Sequence, residues 1–137
     1  MDADALFAGA ASVSGASHVV LQLGELGIIE VGVPEQARTE AQRNLTLKLP
    51  AALPAFRSLI DVCTTPLPMA SRATSNRLAR AGNADSKDAP ILASALAGGC
   101  RWLVTFNVRD YRTDRIHVSE PGPFLEDLRA QLAARGG

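Results

Sequence analysis

Four carboxylates in this chain stand where an open α/β sheet builds a site: Asp2, Glu40, Asp88 and Asp110. Acids at the starts of helices and beyond the carboxyl ends of strands are carried to one edge of such a sheet. Asp4, Asp85, Asp114 and the amide of Asn107 are the reinforcements at hand. Carboxylates brought together repel, and their pKa values rise unless a cation neutralises them. Hard oxygen ligands suit Mg²⁺ or Mn²⁺. One or two such ions orient a water, lower its pKa and stabilise charge on a phosphodiester oxygen. Placement permits convergence of the four acids, and each also has a plain structural reading. Asp88 near a first helical turn gains from the dipole as a cap. Glu40 reads as a solvated helix residue at the boundary of the buried face. Asp110 reads as a turn former, and Asp2 as part of a frayed end.

The elements that must position these acids follow from periodicity. Met1 to Leu6 offers a stub of a strand, and Gly9 with Ser12 to Gly15 reads as a turn. Val19, Val20, Leu23 and Leu26 trace a helix from Ala16 to Leu26, stopped by Gly27. Ile28 to Val33 is β-branched and reads as a strand. Pro34 opens a helix to about Leu49, with Ala37, Ala41 and Leu45 inward. Pro50 to Cys63 is helical, Val62 to Leu67 a brief strand, and Met69 to Ala81 a basic helix. The helix that carries Asp88 turns Ile91, Leu92, Ala95 and Leu96 inward, and Gly98-Gly99 stops it. Arg101 to Thr105 is a strand opening into the loop Phe106 to Asp114. Ile116 to Ser119 is a last strand, and Pro121 to Ala134 a helix with Phe124, Leu125, Leu128 and Leu132 inward. Strands alternating with helices predict a largely parallel sheet covered on both faces.

Composition narrows the function classes. The 137 residues fit one domain with a core of its own. Fourteen basic residues balance fourteen acidic ones, which argues against bulk attraction to nucleic acid and leaves room for a local basic rim. Arg109, Arg112 and Arg115 form such a rim on the strand-end loop, either as contacts to nucleic-acid phosphates or as an ordinary charged surface. Trp102 lies inside a strand and is expected in the core rather than against a base. Cys63 and Cys100 match no metal spacing and read as small buried hydrophobes. His18 and His117 have no paired ligand, and no glycine-rich phosphate loop or nucleophile elbow occurs. No positively charged segment precedes an apolar run at the start, and no apolar stretch is long enough for a bilayer. A cytoplasmic protein without membrane contact is expected.

The pattern along nearly the whole chain resembles that of PIN-domain proteins, in particular the bacterial toxin components of toxin–antitoxin systems. DADALF is similar to the family's opening motif, with Asp2 at its Asp and Asp4 where an Asn usually stands. PEQARTEAQRNL places the family's Glu on Glu40, and KDAPILASAL supplies a third acid as Asp88. LVTFNVRDY resembles the strand-end motif, with Thr105 at its Thr and Asp110 at the acid beside an aromatic, here Tyr111. Asn107 holds the position where a fourth Asp is often found, and only Met1 precedes Asp2 where the family places its first strand. Either the reading frame starts upstream or this form lacks a central strand.

The resemblance implies a three-layer α/β/α PIN-like fold over residues 1–137, with a central, mostly parallel sheet whose first strand is cut short. It implies an endoribonuclease using Mg²⁺ or Mn²⁺ held by Asp2, Glu40, Asp88 and Asp110. Asn107 would ligate through its carbonyl oxygen or hold a metal-bound water, and Thr105 would orient the site by hydrogen bonding. It also implies an RNA substrate, a small antitoxin partner and a homodimer. The competing reading is a catalytically impaired PIN-like domain that binds protein or RNA. A weaker third is a phosphatase-like enzyme or a DNA nuclease built on the same acids.

Overall fold

A computed structural model describes residues 1–136. The chain opens with a helix, α1 (Ala3–Ala11), where a strand stub and a turn at Gly9 were expected. Asp2 is its N-cap: the backbone is extended there, and the carboxylate accepts the Ala3 N–H at 2.7 Å. Gly9 remains helical because the next helix, α2 (Ala16–Glu25), passes close by; a Cβ on Gly9 would lie 2.6 Å from Leu21 Cδ1. The α2 stripe is rotated from the one expected. Val20 and Leu21 are buried, whereas Val19 and Leu26 are exposed.

Strand β1 (Val31–Val33) is half the length expected, and Pro34 caps α3 (Glu35–Lys48). Ala37, Ala41 and Leu45 are fully buried along α3. A short 3₁₀ turn at Pro50–Ala52 leads into α4 (Leu53–Cys63), β2 (Thr64–Pro66) and α5 (Arg72–Arg80). Helix α6 (Ala89–Ala97) is buried on most sides rather than along one stripe, because α5 and α3 both pack against it. Gly82 and Gly99, at φ 77° and 71°, turn the chain after α5 and α6. Strands β3 (Trp102–Val104) and β4 (His117–Ser119) follow, with a 3₁₀ turn at Val108–Asp110 between them. Helix α7 (Pro121–Gly136) buries Phe124 and leaves Leu132 exposed, against the expectation for Leu132.

Among the described residues the single central sheet that was expected is not formed. Two separate parallel pairs stand in its place, β1 with β2 and β3 with β4. Residues 1 and 2 cross the seam between them. The Met1 nitrogen donates to Gly32 O at 2.8 Å, and the Asp2 N–H donates to Val104 O at 2.9 Å. Beyond Met1 the seam widens into a cavity of about 440 Å³ bounded by Gly32 and Trp102 on the two strands and by Phe124 and Leu128 of α7. Trp102 is therefore half-buried at this cavity rather than in the core. It stacks on His117 at 4.7 Å and meets Phe124 edge-on at 5.3 Å. Both cysteines are free thiols, Cys63 buried and Cys100 partly so. Among the described residues no single helix is long and apolar enough to cross a membrane.

Candidate functional site

The site is assembled where residues 1 and 2 meet the carboxyl end of β3. Asp2 is 7% exposed and multiply bonded. Its Oδ2 accepts the Tyr111 hydroxyl at 2.7 Å and faces the Thr105 hydroxyl at 3.2 Å, while Oδ1 receives the Ala3 N–H. Hydrogen bonds to an ionised acceptor are short and strong, so Asp2 is a fixed charge rather than a frayed end. Burial first, and then the Asp2 charge, push the Tyr111 phenol far above its ordinary pKa. The phenol stays protonated and keeps donating.

Asp4, in the first turn of α1, closes the strand-end loop. Its Oδ2 accepts the Phe106 N–H at 2.9 Å and the Asn107 Nδ2–H at 2.9 Å, with Thr105 Oγ1 at 3.2 Å. Thr105 is fully buried, and its hydroxyl also accepts the Asn107 N–H at 3.0 Å. Burial and the neighbouring Asp2 charge raise the Asp4 carboxyl, against the lowering effect of its hydrogen bonds to Phe106, Ala5 and Thr105. Asn107 thus spends its amide on Asp4, and the orienting role expected of Thr105 is shared between two acids and the loop backbone.

Asp88 differs from both. It sits at the N-cap of α6 in a helical conformation, φ −97° and ψ −20°, and its side chain makes no capping hydrogen bond. Asp88 keeps the favourable dipole position but forms no capping bond, so its carboxylate is available to a further partner. Its pKa is raised by partial burial, then by the charges of Asp2 and Asp110, with Lys87 opposing and Glu40 adding to the rise. The three other acids predicted from sequence thus all act on Asp88. Glu40 is half-buried on α3, and Asp110 is exposed at the end of the 3₁₀ turn.

What holds Asp110 and Tyr111 toward Asp88 is a stitch between two loops. Ala84 and Tyr111 form an antiparallel bridge, Arg112 N–H donates to Asn83 O at 2.7 Å, and Asn83 Nδ2 donates to Arg112 O at 2.6 Å. The Arg112 side chain joins in. Its Nε donates to Gly82 O at 2.8 Å, and its guanidinium lies 3.8 Å from Asp85. Arg112, though exposed like Arg109 and Arg115, is committed to bracing the site, whereas among the described residues those two form no ion pair.

The donor set suits a hard divalent cation in chemistry: several carboxylates, among them Asp88, which has no hydrogen-bonded partner and is repelled by the rest. In spacing the set is open. Among the described residues no three His, Cys, Asp or Glu side chains are grouped closely enough to hold one ion together. Mg²⁺ tolerates this, since it keeps several waters and is bound through one or two carboxylates plus substrate phosphates. Two features were missed from sequence, the Tyr111–Asp2 bond and the Asp4–Asn107 lock, and each joins residues more than a hundred positions apart.

Residues 1–109 match the family model described as the PIN domain. No curated protein matches the chain, and no solved structure does.

Proposed function

Because this chain belongs to the PIN-domain family, we propose that it is a metal-dependent endoribonuclease, the toxin of a toxin–antitoxin pair, hydrolysing RNA phosphodiester bonds. The observation that carries this reading is Asp88: an acid with no capping bond, its pKa raised by burial and by Asp2, Asp110 and Glu40. Such repulsion is relieved by a cation. Mg²⁺ or Mn²⁺, bound through Asp88 with Asp2, Glu40 and Asp110 directly or through water, would supply a nucleophilic water and charge stabilisation at the phosphate. Asp2 brings a fixed negative charge held by Tyr111 and Thr105. Asn107 donates its Nδ2–H to Asp4, which leaves its carbonyl oxygen free to ligate the ion or hold a metal-bound water. Arg109 and Arg115, both exposed on the loop, would meet RNA phosphates.

The open spacing of the acids favours one second reading, a PIN-like domain that binds RNA or protein without cutting. One experiment separates the two. The purified protein is incubated with several single-stranded RNAs, with and without Mn²⁺ or Mg²⁺. Cleavage that needs the ion, that is lost in Asp88→Asn and that spares DNA supports the enzyme. Binding without cleavage by the folded protein supports the module. Co-purification of a small protein encoded beside it, with loss of cleavage in the complex, would support the toxin role and the antitoxin partner. A homodimer is proposed alongside, to be read from the mass in solution.

A further inference from the structure

A second cavity, about 340 Å³, lies beside the acids, where the first turns of α3, α5 and α6 converge. Ser86 and Pro90, which line it, flank Asp88 in sequence. Two of the three helix starts are satisfied. Ser71 Oγ caps α5 by accepting the Thr74 N–H at 3.2 Å, and Asp85 O accepts the Ala89 N–H at 2.8 Å before α6. The start of α3 is open. Pro34 has no capping side chain, and the first intrahelical bond is from Arg38 N–H to Pro34 O. The N–H groups of Glu35 and Gln36 thus have no acceptor within the helix, and both residues line the cavity.

An independent observation points to a ligand in the same place. Ser75 is only 8% exposed, it lines the cavity, and among the described residues its hydroxyl makes no hydrogen bond. The oxygen is not sealed in the core but opens onto the cavity, where an incoming acceptor can reach it. Around it stand Arg72 and Asn76 of α5 and Gln36 of α3. Glu35 is the one acid in the lining, and Arg38 lies 3.8 Å from its carboxylate. Free helix-start N–H groups, a guanidinium and an unpartnered hydroxyl together make an anion subsite.

We propose that this cavity holds a backbone phosphate of the RNA, next to the one cut at the acids, through Arg72, Ser75 and the first N–H groups of α3. The proposal rests on the ribonuclease reading for its ligand and on the cavity for its location. Held there, the flanking phosphate fixes the register of the strand against Asp88. The subsite acts on position and affinity and takes no part in bond cleavage.

The test has two arms. In the first, inorganic phosphate is titrated into the metal-free protein while backbone amide resonances are followed. Saturable shifts at Glu35, Gln36, Ser75 and Asn76 are expected, weakened about three- to tenfold in Ser75→Ala and in Arg72→Gln. Shifts confined to other residues, or none, would overturn the subsite whether or not the protein cuts RNA. In the second arm, cleavage of RNA by wild type and Arg72→Gln is compared. The variant should raise KM and leave kcat in place, and a neutral methylphosphonate at the flanking position should abolish the difference. An unchanged KM in a protein that does cut RNA sinks the subsite alone. An absence of cleavage with the amide shifts intact sinks only the ribonuclease reading.

Discussion

Replacing Tyr111 with Phe tests whether Asp2 is held as a fixed charge. The substitution removes one oxygen and leaves the ring. In the wild type that oxygen donates to Asp2 Oδ2 at 2.7 Å inside a region where Asp2 is 7% exposed and Tyr111 is 5% exposed. A hydrogen bond to a charged group contributes about 1.5–3 kcal/mol. Thr105 Oγ1, already 3.2 Å from the same oxygen, offsets part of the loss, so the lower half of that range is expected, about 1.5–2 kcal/mol. For a chain of this size each kcal/mol lowers Tm by roughly 3–4 °C, which gives a fall of about 5–8 °C. The assay is thermal unfolding by circular dichroism for wild type, Tyr111→Phe, Asp2→Asn and the double variant. The coupling between the two sites should be at least about 1 kcal/mol. If Tyr111→Phe costs the same with Asn at position 2 as with Asp, the hydroxyl is not serving the carboxylate and the account of Asp2 is wrong.

The remaining predictions concern the rest of the site. Asp4 and Asp88 both have pKa values raised in the folded chain, so the fold binds protons more tightly than the unfolded chain does just above the ordinary carboxylate value of 3.8. Stability of the metal-free protein should therefore fall as pH rises through that window, and Mn²⁺ should flatten the slope; a rise with pH in urea titrations would contradict the shifts. Asp88→Asn should make the metal-free protein no less stable than wild type while weakening Mn²⁺ binding in calorimetry by tenfold or more, roughly the loss of one charged ligand interaction. Arg112→Ala should cost about 1 kcal/mol, since its Nε loses the Gly82 carbonyl. Arg109→Ala and Arg115→Ala should leave Tm unchanged and weaken RNA binding, which salt-dependent binding curves would reveal.

Much of the scaffold was legible because it follows local periodicity. Ala37, Ala41 and Leu45 on α3 are buried as their spacing requires, and Gly82 and Gly99 end helices where glycine is needed. The opening helix was not legible, since Gly9 reads as a turn in isolation and stays helical only because α2 crosses it closely. Buried stripes on α2 and α7 shifted for a similar reason: α2 packs on α7, and the contact decides which of several apolar residues go in. At the site, the chemistry of Asp2, Glu40, Asp88 and Asp110 was readable as residue types. The ties that fix them were not. Nothing near Asp2 in sequence announces Tyr111, and nothing near Asp4 announces Asn107. Arg112 looked like its neighbours and proved to be a brace, because its partner carbonyl lies thirty residues earlier.

The seam between the two half-sheets gives the acids an adjustable span. Glu40 follows β1 on one side, Asp110 follows β3 on the other, and Asp2 stands on the join itself. Across that join, among the described residues, only residues 1 and 2 carry backbone hydrogen bonds to the two sides, one to Gly32 and one to Val104. The distance between Glu40 and Asp110 is thus governed by a joint and not by a continuous ladder. An ion bridging the two sides would act as a strut, stiffening the whole molecule as it binds. The affinity for that ion would then carry the work of closing the joint, and anything that wedges into the seam would loosen the ion from a distance.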